Sequence, residues 1–367
     1  MQESLKALIE NVDGRTETFP SDPVLVYGAG SRGREMAVFL LDRGYRVLGF
    51  ADIAAKPNQA WRDLPVRTLV QWRARMSLEG TILVVGIHNH RVPMAPLLDA
   101  LSESGARRVI NPVEFHALFP LQLPDAYWLT SPATYRDQRE TLGLLGDLFE
   151  DATSRDLLDR VLAFRMSGNY SLLPAPSQAD QYCPQDLPRW KNPLRLVDCG
   201  ACDGDSLRQF RAQGYDFAQL VAFEPDPVNF AALSRQVREL GGGVCMPCGV
   251  RRETGLVGFE SNGTGSSRIS ESGGHVIQCV SIDAAVPGLS PTLIKMDIEG
   301  AEPDALLGAR QTISTYRPGL AISVYHCPAH LWEIPFLIAS WDLGYRFHVR
   351  MHGHSSFDLV LYALPNG

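Results

Sequence analysis

The sequence contains no uninterrupted apolar run that approaches the ~20 residues a membrane-spanning helix needs. It also lacks a basic excess, because 34 lysines and arginines stand against 41 acids, which gives a formal charge of −7. This balance provides no attraction to nucleic acid or to an anionic membrane. The first residues, MQESLK, do not form a basic start followed by an apolar core. We therefore expect no secretory signal and predict a cytoplasmic location.

Cysteine is scarce, and its number, seven, is odd. Two C-x-x-C pairs, Cys199/Cys202 and Cys245/Cys248, superficially resemble a zinc ribbon. In the usual doubly wound order the strands beside these pairs are not neighbours, so four thiolates could not easily converge. We predict reduced, partly buried thiols and no zinc site, as is usual in the cytoplasm.

The chain of 367 residues is long enough for two domains. Its most informative stretch is an acidic turn that contains glycine. An apolar strand beginning at Leu194 ends in a turn that carries Asp198, Asp203 and Asp205, and a helix follows. Such a turn forms a ligand cradle at the carboxyl edge of a parallel sheet. Three carboxylates would repel a pyrophosphate. They suit a ligand with an ammonium group, a sulfonium or many hydroxyls, and S-adenosylmethionine has all three.

A GxGxxG motif indicates a second, smaller α/β domain near the amino terminus. Four apolar strands alternate with helices between residues 22 and 118, after a tail (1–21) that carries a short helix at 4–12. The motif follows the first strand, and an acid ends the second strand, where a ribose hydroxyl could be held. The residues of this candidate site are Gly28, Gly30, Gly33 and Asp52.

The sequence leaves the role of this small Rossmann-like domain open. A lone GxGxxG is a weak signal, and the segment is too short for a full dinucleotide-binding fold. In one interpretation a nucleotide-type ligand binds here and places its phosphates on Arg32 and Arg34. In the other, the domain is structural or forms a homodimer, and the two arginines are solvated charges at a helix start.

The rest of the chain predicts a connector and a larger domain. Residues 119–193 are rich in proline and contain two helical segments (135–151 and 154–166), which predicts a helical connector and cap. Residues 194–367 contain five β/α units, a hairpin inserted after the third strand (243–250), and a final β-hairpin. This is the layout of a class I methyltransferase, whose last strand is antiparallel. The predicted fold class is therefore α/β, with two Rossmann-like sheets.

The larger domain resembles the FkbM family of S-adenosylmethionine-dependent methyltransferases over roughly residues 180–364. The matching segments are QY (181–182), VDCGACDGDS (197–206), FEPDP (223–227), SID (281–283), IKMDIEGAE (294–302), SVYH (323–326), LWEIP (331–335) and LY (361–362). The resemblance implies S-adenosylmethionine as cofactor and methylation of an oxygen, such as a hydroxyl of a sugar or another secondary metabolite. The amino-terminal domain lies outside this resemblance.

The expected cofactor contacts lie at strand ends. Asp198 is expected to receive the ammonium group directly or through water, and Gly200 and Ala201 to let the backbone pass close to the methionine moiety. Glu224 is expected to accept hydrogen bonds from both ribose hydroxyls. The other candidates are Asp203, Asp205, Ser206, Pro225, Gly249 (facing adenine), Gln181 and Tyr182 (covering the cofactor), and Asp297 near the methyl group. Asp203 and Asp205 could instead be helix caps and nothing else.

Methyl transfer to an alcohol needs accurate placement, and a base near the acceptor oxygen is useful. We predict His326, which ends the fifth strand, as the base or acceptor anchor. The candidate catalytic residues are His326, Asp297, Lys295 and Tyr325. His352 and His354, in the loop after the sixth strand, are expected to reach the rim of the same edge.

A metal ion is not predicted. Asp297 and Glu299 are oxygen ligands of the kind that Mg²⁺ or Ca²⁺ prefers, but two acids are too few to define a site. They could also be structural caps of the next helix. His330 lies four residues after His326, and Pro328 between them disfavours a helical two-histidine metal pair.

Two other functions stay open at this stage. One is a nucleotide-sugar-modifying or NAD-binding protein whose amino-terminal domain carries the chemistry. The other is a binding protein without catalytic activity that has kept the cofactor fold. Binding of S-adenosylmethionine, NAD or UDP would distinguish them.

Overall fold

The computed structural model describes residues 18–120, 122–177, 181–260, 268–269 and 274–366. The helix predicted at 4–12 lies outside these residues. The chain forms two compact units. The amino-terminal unit comprises the residues up to 140 with 158–175 and 353–357, and the carboxyl-terminal unit comprises 141–157, 176–352 and 358–367. Within the described residues, no helix has both the length and the apolar character needed to cross a membrane.

The amino-terminal unit contains a six-stranded sheet with the order β3-β4-β2-β1-β5-β6. Its strands are β1 (Val24–Tyr27), β2 (Val47–Ala51), β3 (Ala60–Trp61), β4 (Leu64–Arg67), β5 (Ile82–Val85) and β6 (Arg108–Ile110). The central strand β1 pairs in parallel with β2 and β5, and its residues are almost all buried, as expected where helices cover both faces. This is the predicted Rossmann-like arrangement. The sequence did not indicate the short antiparallel pair β3–β4.

Helices connect these strands and continue beyond them. They are α1 (Ser31–Leu41), α2 (Leu69–Arg73), α3 (Met94–Ser102), α4 (Pro112–Leu118), α5 (Pro132–Asp137), α6 (Arg139–Leu148) and α7 (Ala152–Ser167). The helix predicted at 135–151 is interrupted at Gln138, which ends α5. The residues of the connector predicted at 119–193 are divided between the two units.

The carboxyl-terminal unit contains a seven-stranded sheet with the order β16-β17-β15-β14-β7-β8-β9. Its strands are β7 (Leu194–Cys199), β8 (Phe217–Phe223), β9 (Val244–Met246), β14 (Leu293–Met296), β15 (Gly319–Ser323), β16 (Arg346–Met351) and β17 (Leu359–Leu364). The last strand, β17, lies between β15 and β16 and is antiparallel to both. The predicted class I methyltransferase layout is therefore confirmed. The buried strands β7 and β14 lie side by side at its centre.

A separate four-stranded sheet corrects one strand of the prediction. It contains β10 (Gly249–Val250), β11 (Gly255–Glu260), β12 (Arg268–Ile269) and β13 (His275–Val280), in the order β10-β13-β11-β12. The single strand predicted at 243–250 is thus divided, since β9 joins the large sheet and β10 pairs with β13. A Cβ on Gly249 would lie 2.8 Å from the Sγ of Cys279, so Gly249 packs against that thiol. Its predicted place facing adenine stays a prediction.

The helices of this unit differ in how they begin. They are α8 (Asp205–Ala212), α9 (Pro227–Glu239), α10 (Ile282–Ala285), α11 (Glu302–Leu307), α12 (Arg310–Tyr316) and α13 (His330–Ala339). Gly204, with φ +87°, precedes α8 in the left-handed conformation that glycine adopts at low cost. Asp226 caps α9 by accepting the amides of Val228 and Asn229, and Pro227 occupies the first turn.

The cysteine pairs are separated by a strand. Cys199 ends β7, whereas Cys245 belongs to β9, and β8 lies between these two strands. All seven cysteines are free thiols. The strands that carry Cys199 and Cys245 are therefore not neighbours in the sheet, as the sequence predicted.

The GxGxxG motif offers a matched pair of substitutions for testing the fold. A Cβ at Gly33 would lie 1.9 Å from the carbonyl oxygen of Gly28, whereas a Cβ at Gly30 would meet nothing within 4 Å. We expect Gly33→Ala to reduce the free energy of unfolding by about 1–3 kcal/mol, because α1 must move away from β1. Gly30→Ala should change it by less than about 1 kcal/mol. Urea denaturation followed by circular dichroism measures both, and equal effects would contradict the packing role of Gly33.

Candidate active site

The acidic glycine turn after β7 is held between the ends of two neighbouring strands. The amides of Gly200 and Ala201 both donate to the carbonyl oxygen of Phe223, the last residue of β8, at 3.0 Å. Gly200 has φ +73°, and a Cβ there would lie 1.9 Å from the carbonyl oxygen of Asp297, just after β14. Position 200 therefore requires glycine for both conformation and space.

A buried ion pair lies beneath this turn. The parallel register of β7 and β14 sets Lys295 opposite Asp198, and Nζ of Lys295 lies 3.0 Å from Oδ1 of Asp198. Ser206 donates its hydroxyl to Oδ2 of Asp198 at 2.5 Å, and Lys295 also donates to the carbonyl oxygen of Gly200 at 2.6 Å. Burial lowers the pKa of Lys295, but the carboxylates of Asp198 and Asp297 outweigh this effect and raise it.

This ion pair gives both residues a supporting contact at the turn. Asp198 is fully buried and bound to Lys295 and Ser206, so it supports the turn. Lys295 is also buried and binds the turn from below. Their predicted roles toward the ammonium group and the acceptor stay predictions.

Glu224 lies at the carboxyl end of β8, beside the turn. Its Oε2 accepts the amide of Cys202 at 2.9 Å, and its Oε1 accepts the amide of Asp226 at 2.8 Å. Pro225, between these contacts, is half-buried. Burial raises the pKa of Glu224. Because each carboxylate oxygen has a second lone pair, Glu224 can still accept from a ligand.

The other acids of the turn lie at its outer side. Asp203 pairs with Arg208 at 2.9 Å, and both side chains are about half exposed. Asp205 is exposed in the first turn of α8, where its Oδ1 accepts the amide of Ser206 at 2.8 Å. Both positions agree with the alternative in which these two acids are helix caps. They also leave the two carboxylates accessible from the edge of the sheet.

Tyr182 connects the upstream segment to the edge of the sheet. Its hydroxyl donates to Oδ2 of Asp297 at 2.8 Å and accepts from the side-chain amide of Gln181 at 3.2 Å. The backbone of Tyr182 has φ +64°, and its amide donates to the hydroxyl of Tyr362 at 2.9 Å. The ring of Tyr182 is buried, so it forms a wall at this edge.

The two loop histidines do not occupy the predicted rim. Nε2 of His352 lies 2.8 Å from the hydroxyl of Tyr362, and Nδ1 lies 2.7 Å from the carbonyl oxygen of Ser177. His352 therefore supports the tyrosine that holds Tyr182. His354 belongs to the amino-terminal unit, where its amide donates to the carbonyl oxygen of His90 at 3.0 Å.

Glu302 organises the loop that follows β14. It is fully buried at the start of α11, and it accepts the amides of Ile298 at 2.8 Å and Gly300 at 3.1 Å. Two histidines contact the same carboxylate: Nδ1 of His326 at 2.8 Å and Nδ1 of His330 at 3.3 Å. Burial raises the pKa of Glu302, but these histidines lower it below its usual range.

His326 lies in the segment just after β15, where three acids surround it. Its Nε2 lies 3.3 Å from Oδ1 of Asp297 and 3.9 Å from Oε1 of Glu299. Burial lowers the pKa of His326, yet Glu302 and the other two acids raise it to about 10. These acids favour the charged form of the ring, and the predicted role of His326 as base or acceptor anchor stays a prediction. The hydroxyl of Tyr325 lies 3.5 Å from Oδ1 of Asp297 and completes this cluster.

The sequence did not indicate the importance of Glu302. It was part of the matched segment IKMDIEGAE but received no role. The available signal was its position directly before Pro303, at the start of a helix. In the structure this helix start faces two histidines.

In the amino-terminal unit, the turn formed by the GxGxxG motif is comparable to the turn after β7. Asp52, just after β2, accepts the amide of Ala29 at 2.7 Å and that of Ala54 at 2.8 Å. Arg32 pairs with Glu35 at 3.1 Å, and the guanidinium of Arg34 lies 5.6 Å from the ring centre of Trp61. The two arginines thus both have partners on the protein.

The buried ion pair generates a stability prediction. Lys295→Met leaves the Asp198 carboxylate buried without its cation, and we expect a loss of about 3–5 kcal/mol in the free energy of unfolding. The double variant Asp198→Asn/Lys295→Met should lose less than the sum of the single losses. The exposed pair offers a control, since Asp203→Asn should cost about 0.5 kcal/mol or less. Additive losses in the double variant, measured by chemical denaturation, would contradict the pairing.

The carboxyl-terminal unit matches a known family. Residues 198–347 fit the family model described as "Methyltransferase FkbM domain". A comparison with curated proteins found no match. Among solved structures, the chain is similar to the methyltransferase FkbM from Methylobacillus flagellatus KT, with a TM-score of 0.81 and 22% identity over 98% of each chain. At this identity the likeness shows a shared fold. Residues 198–347 thus match the methyltransferase FkbM domain, and the rest of the chain lies outside that match.

Proposed function

We propose that the carboxyl-terminal unit binds S-adenosylmethionine at the carboxyl edge of its seven-stranded sheet and methylates a hydroxyl oxygen of a small acceptor, a sugar or another secondary metabolite. The observation that carries the proposal is the position of Glu224. This buried carboxylate ends β8 directly beside the glycine turn, with Oε2 2.9 Å from the amide of Cys202. It is placed to accept from ribose hydroxyls, and the family match supports the class of reaction.

The residues around the turn fit the proposed cofactor. Gly200 and Ala201 present backbone without large side chains, and their amides are fixed on Phe223. Asp198 and Lys295 hold the turn from below, so its shape is set before a ligand arrives. When bound, S-adenosylmethionine supplies an electrophilic methyl group on a positively charged sulfur. The remaining proposed contacts along the rim are Asp203, Asp205, Ser206, Pro225 and Gln181.

The acceptor side is proposed at the ends of β14 and β15. The carboxylate of Asp297 accepts a hydrogen bond from the hydroxyl of Tyr182, and its Oδ1 lies 3.5 Å from the hydroxyl of Tyr325. These two contacts fix the Asp297 carboxylate in one orientation. Burial raises the pKa of both tyrosines, so both phenols stay protonated donors at neutral pH. Fixed groups of this kind orient an acceptor, and orientation supplies several kcal/mol of a displacement barrier.

A nucleotide-type ligand in the amino-terminal unit is a second candidate. The strand order changes direction between β1 and β5, and α/β sheets bind ligands in the crevice at such a point. Arg32, at the start of α1, lies near it, with Nη2 2.5 Å from Nε2 of His116. A guanidinium at this point suits a phosphate.

Calorimetry of the whole chain with S-adenosylmethionine tests the leading proposal. We expect Glu224→Gln to weaken binding by about 10- to 100-fold, because it removes the charge that strengthens the ribose hydrogen bonds. Glu239→Gln, at the exposed end of α9, is the matched control and should bind like the unaltered protein. Thermal unfolding without ligand shows whether Glu224→Gln disturbs the turn itself.

Failure of the unaltered protein to bind S-adenosylmethionine, or equal affinity in both variants, would refute the proposed site. Labelled methyl donor offered with hydroxylated acceptors should yield a methyl ether, and a methylated amine as the only product would refute the oxygen acceptor. The same calorimetry with NAD and UDP tests the second candidate, whose binding should be lost in Asp52→Ala.

A further inference from the structure

We propose that a basic cavity at the amino edge of the seven-stranded sheet binds a small molecule that carries two or more phosphate groups. The cavity has a volume of about 330 Å³ and lies within the carboxyl-terminal unit. It is on the edge opposite to the candidate active site, because the parallel strands β7, β14 and β15 begin here and end there. The basic residues that line it are Arg189, Lys191, Arg195, Arg317 and Arg346.

The charged side chains that line the cavity all have the same sign. Its lining contains five cations and no carboxylate. This concentration contrasts with the whole chain, whose formal charge is −7. Like charges gathered at one place repel one another, and an anion among them interacts favourably with several at once. The cavity therefore selects for an anionic ligand.

Two of the arginines contact backbone carbonyls, which leaves their charge uncompensated. Nε of Arg195 donates to the carbonyl oxygen of Ser290. Nη2 of Arg189 donates to the carbonyl oxygen of Gln213 at 2.7 Å. A guanidinium has five N–H donors, so each of these arginines can still donate to a ligand. Phosphate oxygens are well matched to such donors, because both partners are charged.

Arg346 carries a buried donor that the described part of the chain does not satisfy. The residue begins β16 and pairs with Leu364 of β17, which places it beside the cavity. Its Nε is buried and has no hydrogen-bond partner among the described residues. A buried donor without an acceptor destabilises a fold, and most such groups in proteins have a partner. A phosphate oxygen in the cavity would supply one.

The register of the sheet spreads these cations along the edge. Arg195 lies on β7 and Arg346 on β16, with β14, β15 and β17 between them. Neighbouring strands are about 4.8 Å apart, so the backbones of these two residues are about 19 Å apart. Arg317 lies between them, where α12 ends before β15, in the left-handed conformation with φ +46°. A chain of two or more phosphates extends along this row, whereas one phosphate contacts only part of it.

The floor of the cavity is fixed by Trp190. A Cβ on Gly319 would lie 2.3 Å from the ring of Trp190, so the ring packs against the backbone at the start of β15. The indole N–H donates to the carbonyl oxygen of Tyr182 at 2.6 Å, and the amide of Trp190 donates to the hydroxyl of Tyr215 at 3.1 Å. A surface that is already ordered costs a ligand less on binding.

The charges favour a small ligand over an anionic polymer. The net charge of −7 opposes association with nucleic acid or an anionic membrane. A small ligand is affected mainly by charges within about one Debye length, ~10 Å at 0.1 M salt. Tyr316, which is 40% exposed, also lines the cavity and offers a flat ring to a nucleotide base. Comparison of pyrophosphate with ADP shows whether a base contributes.

Calorimetry of the whole chain with inorganic pyrophosphate and with ADP tests the proposal. We expect pyrophosphate to bind, and Arg317→Gln and Arg346→Gln each to weaken binding by about tenfold or more, because each removes a charged donor. Arg235→Gln, at an exposed position of α9, is the matched control and should bind like the unaltered protein. Binding should weaken as the salt concentration rises. Circular dichroism confirms that each variant is folded.

Two further variants separate this cavity from the other candidate sites. Glu224→Gln, at the opposite edge of the sheet, and Arg32→Gln, in the amino-terminal unit, should leave the affinity for pyrophosphate unchanged. Loss of pyrophosphate binding in either of them, with the cavity variants unaffected, would overturn the proposal. Calorimetry with S-adenosylmethionine on the cavity variants should match the unaltered protein, so the outcome does not depend on the proposed function.

Absence of binding by both pyrophosphate and ADP, or equal affinity in the cavity variants and the control, would overturn the proposal. Tighter binding of ADP than of pyrophosphate would support a nucleotide as the ligand. Equal affinity for the two would support a ligand that is recognised by its phosphates alone. Binding of an oligonucleotide or of phosphatidylserine vesicles, without binding of pyrophosphate, would overturn the small-molecule class.

Discussion

One buried carboxylate, Glu302, determines the shape of the candidate site. Four groups converge on it: the amides of Ile298 and Gly300, and the rings of His326 and His330. Without this acceptor the two amides would lose their partner, and a buried polar group without a partner costs about 1–3 kcal/mol. The loop after β14 and the end of β15 are therefore fixed together. The positions of Asp297 and Glu299 follow from that constraint.

The two Rossmann-like sheets use the same device at their glycine turns. In each sheet, an acid at the end of the second strand accepts an amide from the turn after the first strand. Asp52 accepts from Ala29 in the amino-terminal unit, and Glu224 accepts from Cys202 in the carboxyl-terminal unit. An acid at a strand end thus stabilises the turn whether or not a ligand is present. For this reason the motif alone distinguishes a ligand site poorly from a structural one, and the groups around it carry more information.

The sequence predicted the frame of the carboxyl-terminal unit because its periodic apolar strands and glycine turns are local features. The antiparallel β17 and the strand-end positions of Asp198, Glu224 and His326 follow from that order. The contacts that could not be predicted from the sequence depend on strand register and on residues that meet only in the folded chain. The ion pair was not indicated, because the pairing that sets Lys295 opposite Asp198 is a property of the folded sheet. Glu302 received no role, because the two histidines that contact its carboxylate reach it only in the folded chain.

The central claim is that the turn after β7 and the acid after β8 form the binding site of a methyl donor. A crystal structure of the whole chain with S-adenosylhomocysteine tests it most directly. The account predicts ribose hydroxyls within hydrogen-bond distance of Glu224 and the amino acid end of the ligand against Gly200 and Ala201. Ligand density elsewhere on the chain, with the edge of the seven-stranded sheet empty, would contradict it.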